Sequence, residues 1–137
     1  MAIFAHTNCH VSINAVDLSD HVVSAQWNET MRTTETVAAG GSDVQRDVTF
    51  ADGSFSVELH QDYAASEVYA TLSAAFDAGT AIAVEYRADA GAASATNPTM
   101  QTNCLVTEFS QGGPIGDYAT TAFTWPFDGT GVTRAVA

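Results

Sequence analysis

Three groups of side chains in this sequence have types and spacings that could do chemistry. His6, Cys9 and His10 stand close together, and a His-Cys-His set can ligate zinc. Their spacing matches no zinc finger, and no second pair of ligands follows nearby. Asp17 and Asp20 flank a turn where calcium could sit. That segment lacks the alternating oxygen ligands and closing Glu of a calcium loop, so both residues read as caps of the local backbone. His21 and His60 read as single surface histidines on polar faces. Gly112-Gly113-Pro114-Ile115-Gly116 is glycine-rich, but it joins two strand-like runs, and no helix N-terminus follows to hold a phosphate. Acid–base catalysis requires two carboxylates in different environments. The 16 acidic residues are scattered over strands and loops and single out no pair. No nucleophile elbow, Walker loop or dinucleotide fingerprint occurs. No catalytic, cofactor or metal site is expected, and the chain does not read as an enzyme.

The bulk charge narrows the partners. Sixteen acidic residues face four basic ones, a net charge of −12, and the basic residues are all arginine: Arg32, Arg46, Arg87 and Arg134. Binding nucleic acid through phosphate needs clustered Lys and Arg, so such binding is not expected. Solubility, or a host with a salty or acidic proteome, also accounts for the balance. With 46% hydrophobic and 15% charged residues in 137, the chain reads as one ordered domain spanning 1–137. No run reaches the length of a membrane span. The first residues lack a basic region followed by an apolar core, so no secretory signal is expected and the chain should remain in the cytoplasm where it is made. Cys9 and Cys104 are too few for a disulfide scaffold and read as buried thiols, with a bridge between them left open.

The elements that must position these residues are mostly strands. Asn8–Asn14 alternates, with Cys9, Val11 and Ile13 on one face. Val22–Met31 places Val23, Ala25 and Trp27 inward, and Ser54–His60 does the same with Phe55, Val57 and Leu59. Thr33–Asp47 has no clean period and holds Ala38-Ala39-Gly40-Gly41-Ser42-Asp43, so it reads as a loop. A loop of about fifteen residues inside a compact domain is often functional. Asp62 is the expected N-cap of a helix over Tyr63–Phe76, with Ala65, Val68, Tyr69, Leu72 and Phe76 as its apolar stripe and Gly79 ending it. Thr80–Arg87 is a strand, and Asp89–Thr96 a small-residue loop. Gln101–Ser110 and Tyr118–Trp125 read as a long hairpin about the turn Gln111–Asp117. Gly131–Ala135 closes the chain. Six to eight strands and one helix give a mainly β sandwich or small barrel with the helix packed against it.

Three pieces in this order resemble the major tail tube proteins of long, flexible-tailed bacteriophages. They are Val11–Val22, the strand–helix–strand unit Ser54–Arg87, and Asn97-Pro98 followed by Leu105-Val106-Thr107, Gly116-Asp117 and Thr121–Pro126, ending near Thr133-Arg134-Ala135. The sequence departs from that pattern at Ala15, where Gly is common, and at Glu108–Gln111. The resemblance implies a β-sandwich-like virion subunit that forms hexameric rings stacked into a tube. The genome passes through that tube; a tape-measure protein sets its length and a terminator ends it. Another virion ring protein (tail terminator or connector) or a capsid decoration protein is the alternative. Under this reading Thr33, Glu35, Gly40, Gly41, Asp43 and Arg46 belong to a loop that stacks rings, with Arg46 pairing a carboxylate on the next ring. Glu29, Glu58, Glu85 and Glu108 are the acids expected to line an anionic channel, which would keep DNA from sticking.

Overall fold

A computed structural model describes residues 3–136. Among the described residues, eight strands form two sheets that face each other across one core. The strands are β1 (His10–Ile13), β2 (Val16–Asp17), β3 (Val22–Thr36), β4 (Gln45–His60), β5 (Ile82–Arg87), β6 (Thr99–Cys104), β7 (Thr120–Pro126) and β8 (Thr133–Ala135). The larger sheet has the order β2-β1-β5-β6-β8, and the smaller the order β3-β4-β7, with every pairing antiparallel. One helix, α1 (Val68–Ala78), links β4 of the small sheet to β5 of the large one. This is the mainly β sandwich with one helix that the strand patterning predicts.

The alternation of apolar residues explains which faces meet. Val11 and Ile13 of β1, Ile82 and Val84 of β5, Phe55, Val57 and Leu59 of β4, and Phe123 and Trp125 of β7 are all buried. Each such side chain is worth roughly 1.5–3 kcal/mol relative to exposure. Trp125 stacks on Phe123 with ring centroids 3.8 Å apart, although both lie on β7. Trp27 and Phe55 of the small sheet contact Tyr86 of the large one at 6.5 and 6.0 Å.

Several expectations are corrected. The helix begins at Val68, with Glu67 as its N-cap, and Asp62 instead closes a turn by accepting the Ala64 N–H at 2.9 Å. Ala65 and Phe76 are exposed; Thr71 and Ala75 are buried beside Val68 and Leu72. Gly79 ends the helix at φ 66°, in the left-handed region that glycine tolerates. Val23 is 48% exposed, because the register of β3 shifts between Val22 and Ser24. The expected hairpin over Gln101–Trp125 is not a ladder. β6 stops at Cys104 in the large sheet, while β7 belongs to the small one.

Cys9 and Cys104 are free and buried. Cys104 pairs opposite Ile82, and Cys9 precedes His10, which pairs opposite Arg87. At ~3.3 Å per residue the two thiols sit about 20 Å apart along the sheet, which excludes a bridge. Burial pushes the Cys104 thiol up to about 12.

Candidate functional site

The segment Thr33–Asp47 is not a loop. β3 and β4 pair from Val22↔Leu59 out to Thr36↔Gln45, and only the turn at 37–44 leaves the ladder. The outer half of this hairpin projects from the sandwich as an arm. Every described residue from Glu29 to Asp52 is exposed. The reason the period is hidden is physical. A strand with water on both faces has no buried side, so alternation is not required of it. A register shift between Arg32 and Thr33 interrupts it further. At the tip, the Gly41 N–H donates to the Ala38 carbonyl at 2.8 Å, and Gly40 takes φ 82°, the geometry of a turn that requires glycine at its third residue.

The residues assigned to ring stacking all lie on this arm. Thr33 pairs opposite Val48; Gly40, Gly41 and Asp43 are in the turn segment. Glu35 pairs opposite Arg46, and the Arg46 Nε donates to the Glu35 Oε1 at 3.1 Å. Arg46 thus finds its carboxylate within its own hairpin. The pair is exposed on both sides and contributes ~0–1 kcal/mol. What the arm offers beyond charge is apolar surface: Met31, Val37, Val44, Val48 and Phe50 are 45–70% exposed. Sequence reasoning missed these five; an apolar residue on an otherwise polar, glycine-turned stretch was the available signal.

Gly53 marks the base of the arm. A Cβ there would stand 2.3 Å from the Asn28 carbonyl oxygen and 2.5 Å from the Phe127 ring, so only glycine fits. Alongside, the Arg134 guanidinium of β8 donates to both Glu29 oxygens, at 2.8 and 2.6 Å, and ties the large sheet to the arm. Met31, Ala51, Phe127, Val132 and these two charged groups line a groove of about 500 Å³.

The edges of the small sheet differ. On β7 the outward N–H groups of Thr120, Ala122 and Thr124 are taken by the Gly112 carbonyl at 2.9 Å, the Ser110 hydroxyl at 3.3 Å and the Glu108 carboxylate at 2.6 Å. The Trp125 indole N–H donates to the Glu108 carbonyl at 2.9 Å. The run 108–112 therefore does fold back along β7, through one backbone bridge between Gly112 and Thr120 and otherwise through side chains in place of a ladder. At the opposite edge, among the described residues, no other segment makes a backbone hydrogen bond to β3 between Ser24 and Thr36. An open edge of that length is a template for another strand.

The four acids assigned to a channel do not share one face. Glu58 and Glu108 line the same shallow groove on the outer face of the small sheet, with Ser24, Gln26, Ser56 and Thr124. Glu108 is on no strand, and its Oε1 is engaged by the β7 edge. Glu85 lies on the outer face of the large sheet, where Gln101 donates to it at 3.2 Å and His10 stands 3.6 Å away. Glu29 points toward the groove at the base of the arm.

The remaining histidine and carboxylate groups sort differently from expectation. His6 meets the Tyr86 hydroxyl at 3.2 Å, His10 lies between Asp17 and Glu85, and Cys9 is buried, so these three assemble no ligand set. Asp17 accepts the Ser19 N–H at 2.9 Å, and that hydroxyl holds its carboxyl below the usual range. His21 is not a surface residue. Its side chain is 20% exposed and lies between Asp62 and Glu67.

The fold itself is shared with chains from gene transfer agent particles. One, in a structure of the virion of a native gene transfer agent particle, superposes with a TM-score of 0.71 at 11% identity, covering 97% of this chain and 99% of that one. Another, in the tail of an empty gene transfer agent particle with C6 symmetry, gives a TM-score of 0.67 at 12% identity over 98% and 99%. No protein-family model matches the sequence, and no curated protein matches it. No helix among the described residues is long and apolar enough to cross a membrane.

Proposed function

We propose that this chain is the tube-forming subunit of a phage-like tail, in which six copies close into a ring and rings stack into a conduit for the genome. The observation that carries the reading is the match in fold, over nearly all of both chains, to a chain in a C6-symmetric particle tail. Two features of the molecule fit it. The small sheet leaves its β3 edge open, and an edge of that length can take a strand or loop from a neighbouring copy; where the neighbour offers a different surface, the contact is head-to-tail and can close a ring. The arm carries five exposed apolar side chains that one copy alone cannot bury, and the neighbouring ring is the surface they would reach.

In this reading the outer face of the small sheet lines the channel. Its body presents Ser24, Gln26, Asn28, Ser54, Ser56, Glu58 and Thr124, hydroxyls and amides around a carboxylate and no arginine. The outer face of the large sheet carries Arg87, which would hold phosphate. Glu58, with Glu108 beside it, is then the lumen acid, and Glu29 and Glu85 serve elsewhere. The tape-measure protein and the terminator are the further partners, the virion tail is the location, and DNA passes without specific binding. Removing Gly40–Val44 tests the arm. The shortened chain should fold and form rings that fail to stack when viewed by electron microscopy. Normal tubes from it would remove the arm from the assembly.

A further inference from the structure

We propose that His21, Asp62 and Glu67 bind a divalent first-row transition-metal ion, with zinc the best fit to the donor set. The three come from separate segments. His21 ends a 3-10 turn (Ser19–His21) and is held by its N–H on the Leu18 carbonyl at 3.1 Å. Asp62 follows β4, and Glu67 caps α1. Between them the chain is stitched into a tight loop. The Glu67 N–H donates to the Ala64 carbonyl at 3.2 Å and the Tyr69 N–H to the Asp62 carbonyl at 2.9 Å. The Ala64 N–H fixes the Asp62 Oδ1 at 2.9 Å and leaves the Oδ2 facing His21.

The separations suit a metal. One imidazole nitrogen, the His21 Nε2, stands 3.0 Å from the Asp62 Oδ2 and 3.8 Å from the Glu67 Oε2, and all three donor atoms lie within 4.8 Å of one another. Tetrahedral zinc with bonds of about 2.0–2.1 Å sets neighbouring donors roughly 3.3–3.4 Å apart, between the two values seen. Charge points the same way. A single Nε2 proton can satisfy only the nearer carboxylate, and 3.8 Å is too long for a hydrogen bond to the second. No arginine makes an ion pair with Asp62 or Glu67; among the described residues the arginine pairs are Arg46 with Glu35 and Arg134 with Glu29. The side chains are 20%, 35% and 39% exposed, so the protein supplies three ligands and leaves a fourth position to water. The imidazole argues against calcium or magnesium, which prefer oxygen alone. A bound ion would fasten the turn after β2 to the start of α1, and through α1 to the core, whether or not the chain assembles.

The test uses the full chain stripped by a chelator and titrated with zinc chloride in a calorimeter. One saturable equivalent is expected, and cobalt in its place should show the visible absorption of a tetrahedral site. Glu67→Gln and His21→Gln should each weaken binding by at least about tenfold. His10→Gln, which alters the other imidazole–carboxylate cluster, should leave it unchanged. Zinc should raise the Tm of the parent chain and not that of Glu67→Gln, a half-exposed change that keeps the test alive if His21→Gln misfolds. No saturable binding, several weak equivalents, or equal affinity in Glu67→Gln would overturn the proposal.

Discussion

One ladder, β3 with β4, has two unlike halves. From Ser54 to His60 the side chains of β4 alternate between core and solvent, and Phe55, Val57 and Leu59 vanish into the sandwich. From Gln45 to Asp52 the same strand is exposed throughout. Backbone pairing is continuous across both, so hydrogen bonding alone does not decide where the strand is stable. The inner half is held by burial. The outer half is held by its neighbour's backbone and a surface ion pair worth little, and it waits for a surface to cover its apolar residues. Stability resides in one half, and in the proposed assembly the means of association lies in the other.

Mutations should separate the halves. Trp125→Ala, which empties a fully buried site beside Phe123, should cost about 3–5 kcal/mol in denaturant unfolding. Gly53→Ala, at the junction, forces a Cβ against the Asn28 carbonyl and the Phe127 ring and should cost about 1–3 kcal/mol. A loss as large from a substitution far out on the arm would erase the distinction between the halves. Glu108→Ala strips the cap from the Thr124 N–H; roughly 1 kcal/mol of stability should go, and light scattering should show new association through the unsealed β7 edge. Phe50→Ser, 70% exposed on the arm, should shift monomer stability by no more than about 0.5 kcal/mol yet lower the yield of assembled particles in sedimentation.

How much of this was legible follows from the same contrast. Burial writes a period into sequence, so β1, the inner part of β4, β5 and β7 could be read from Val11, Phe55, Val84 and Trp125. The arm could not, because Gln45–Asp52 meets water on both faces and the turn glycines pulled the whole stretch toward a loop. The false hairpin at 101–125 had a different origin. The alternation in Tyr118–Trp125 was real, but nothing local tells that Glu108 and Ser110 replace a backbone ladder with side-chain caps. The Asp62 carboxylate looked like a helix N-cap, and Glu67 lay inside the helix so capped. Their meeting with His21, 41 residues from Asp62, depends on the long return of β4.

Acidity gives the smallest effect and touches only the body. The Ser19 hydroxyl holds Asp17 below its ordinary range; the Ala64 N–H, then His21, does so for Asp62; the Thr130 hydroxyl and N–H do so for Asp128. Each carboxyl binds its proton less tightly folded than unfolded. Their contribution is therefore complete above the unfolded value of about 3.9 and is lost as pH falls through the lower folded values. Thermal melts should show that loss only below about pH 4, and Asp17→Asn should shallow the decline.

In the proposed assembly, identical copies join through the open β3 edge and stack through the arm. Electron microscopy of the concentrated protein decides it. Tubes of stacked sixfold rings, with density from each arm bridging to the adjacent ring, are the predicted result. A particle that stays monomeric at every concentration in ultracentrifugation, and shows no rings on the grid, would contradict it.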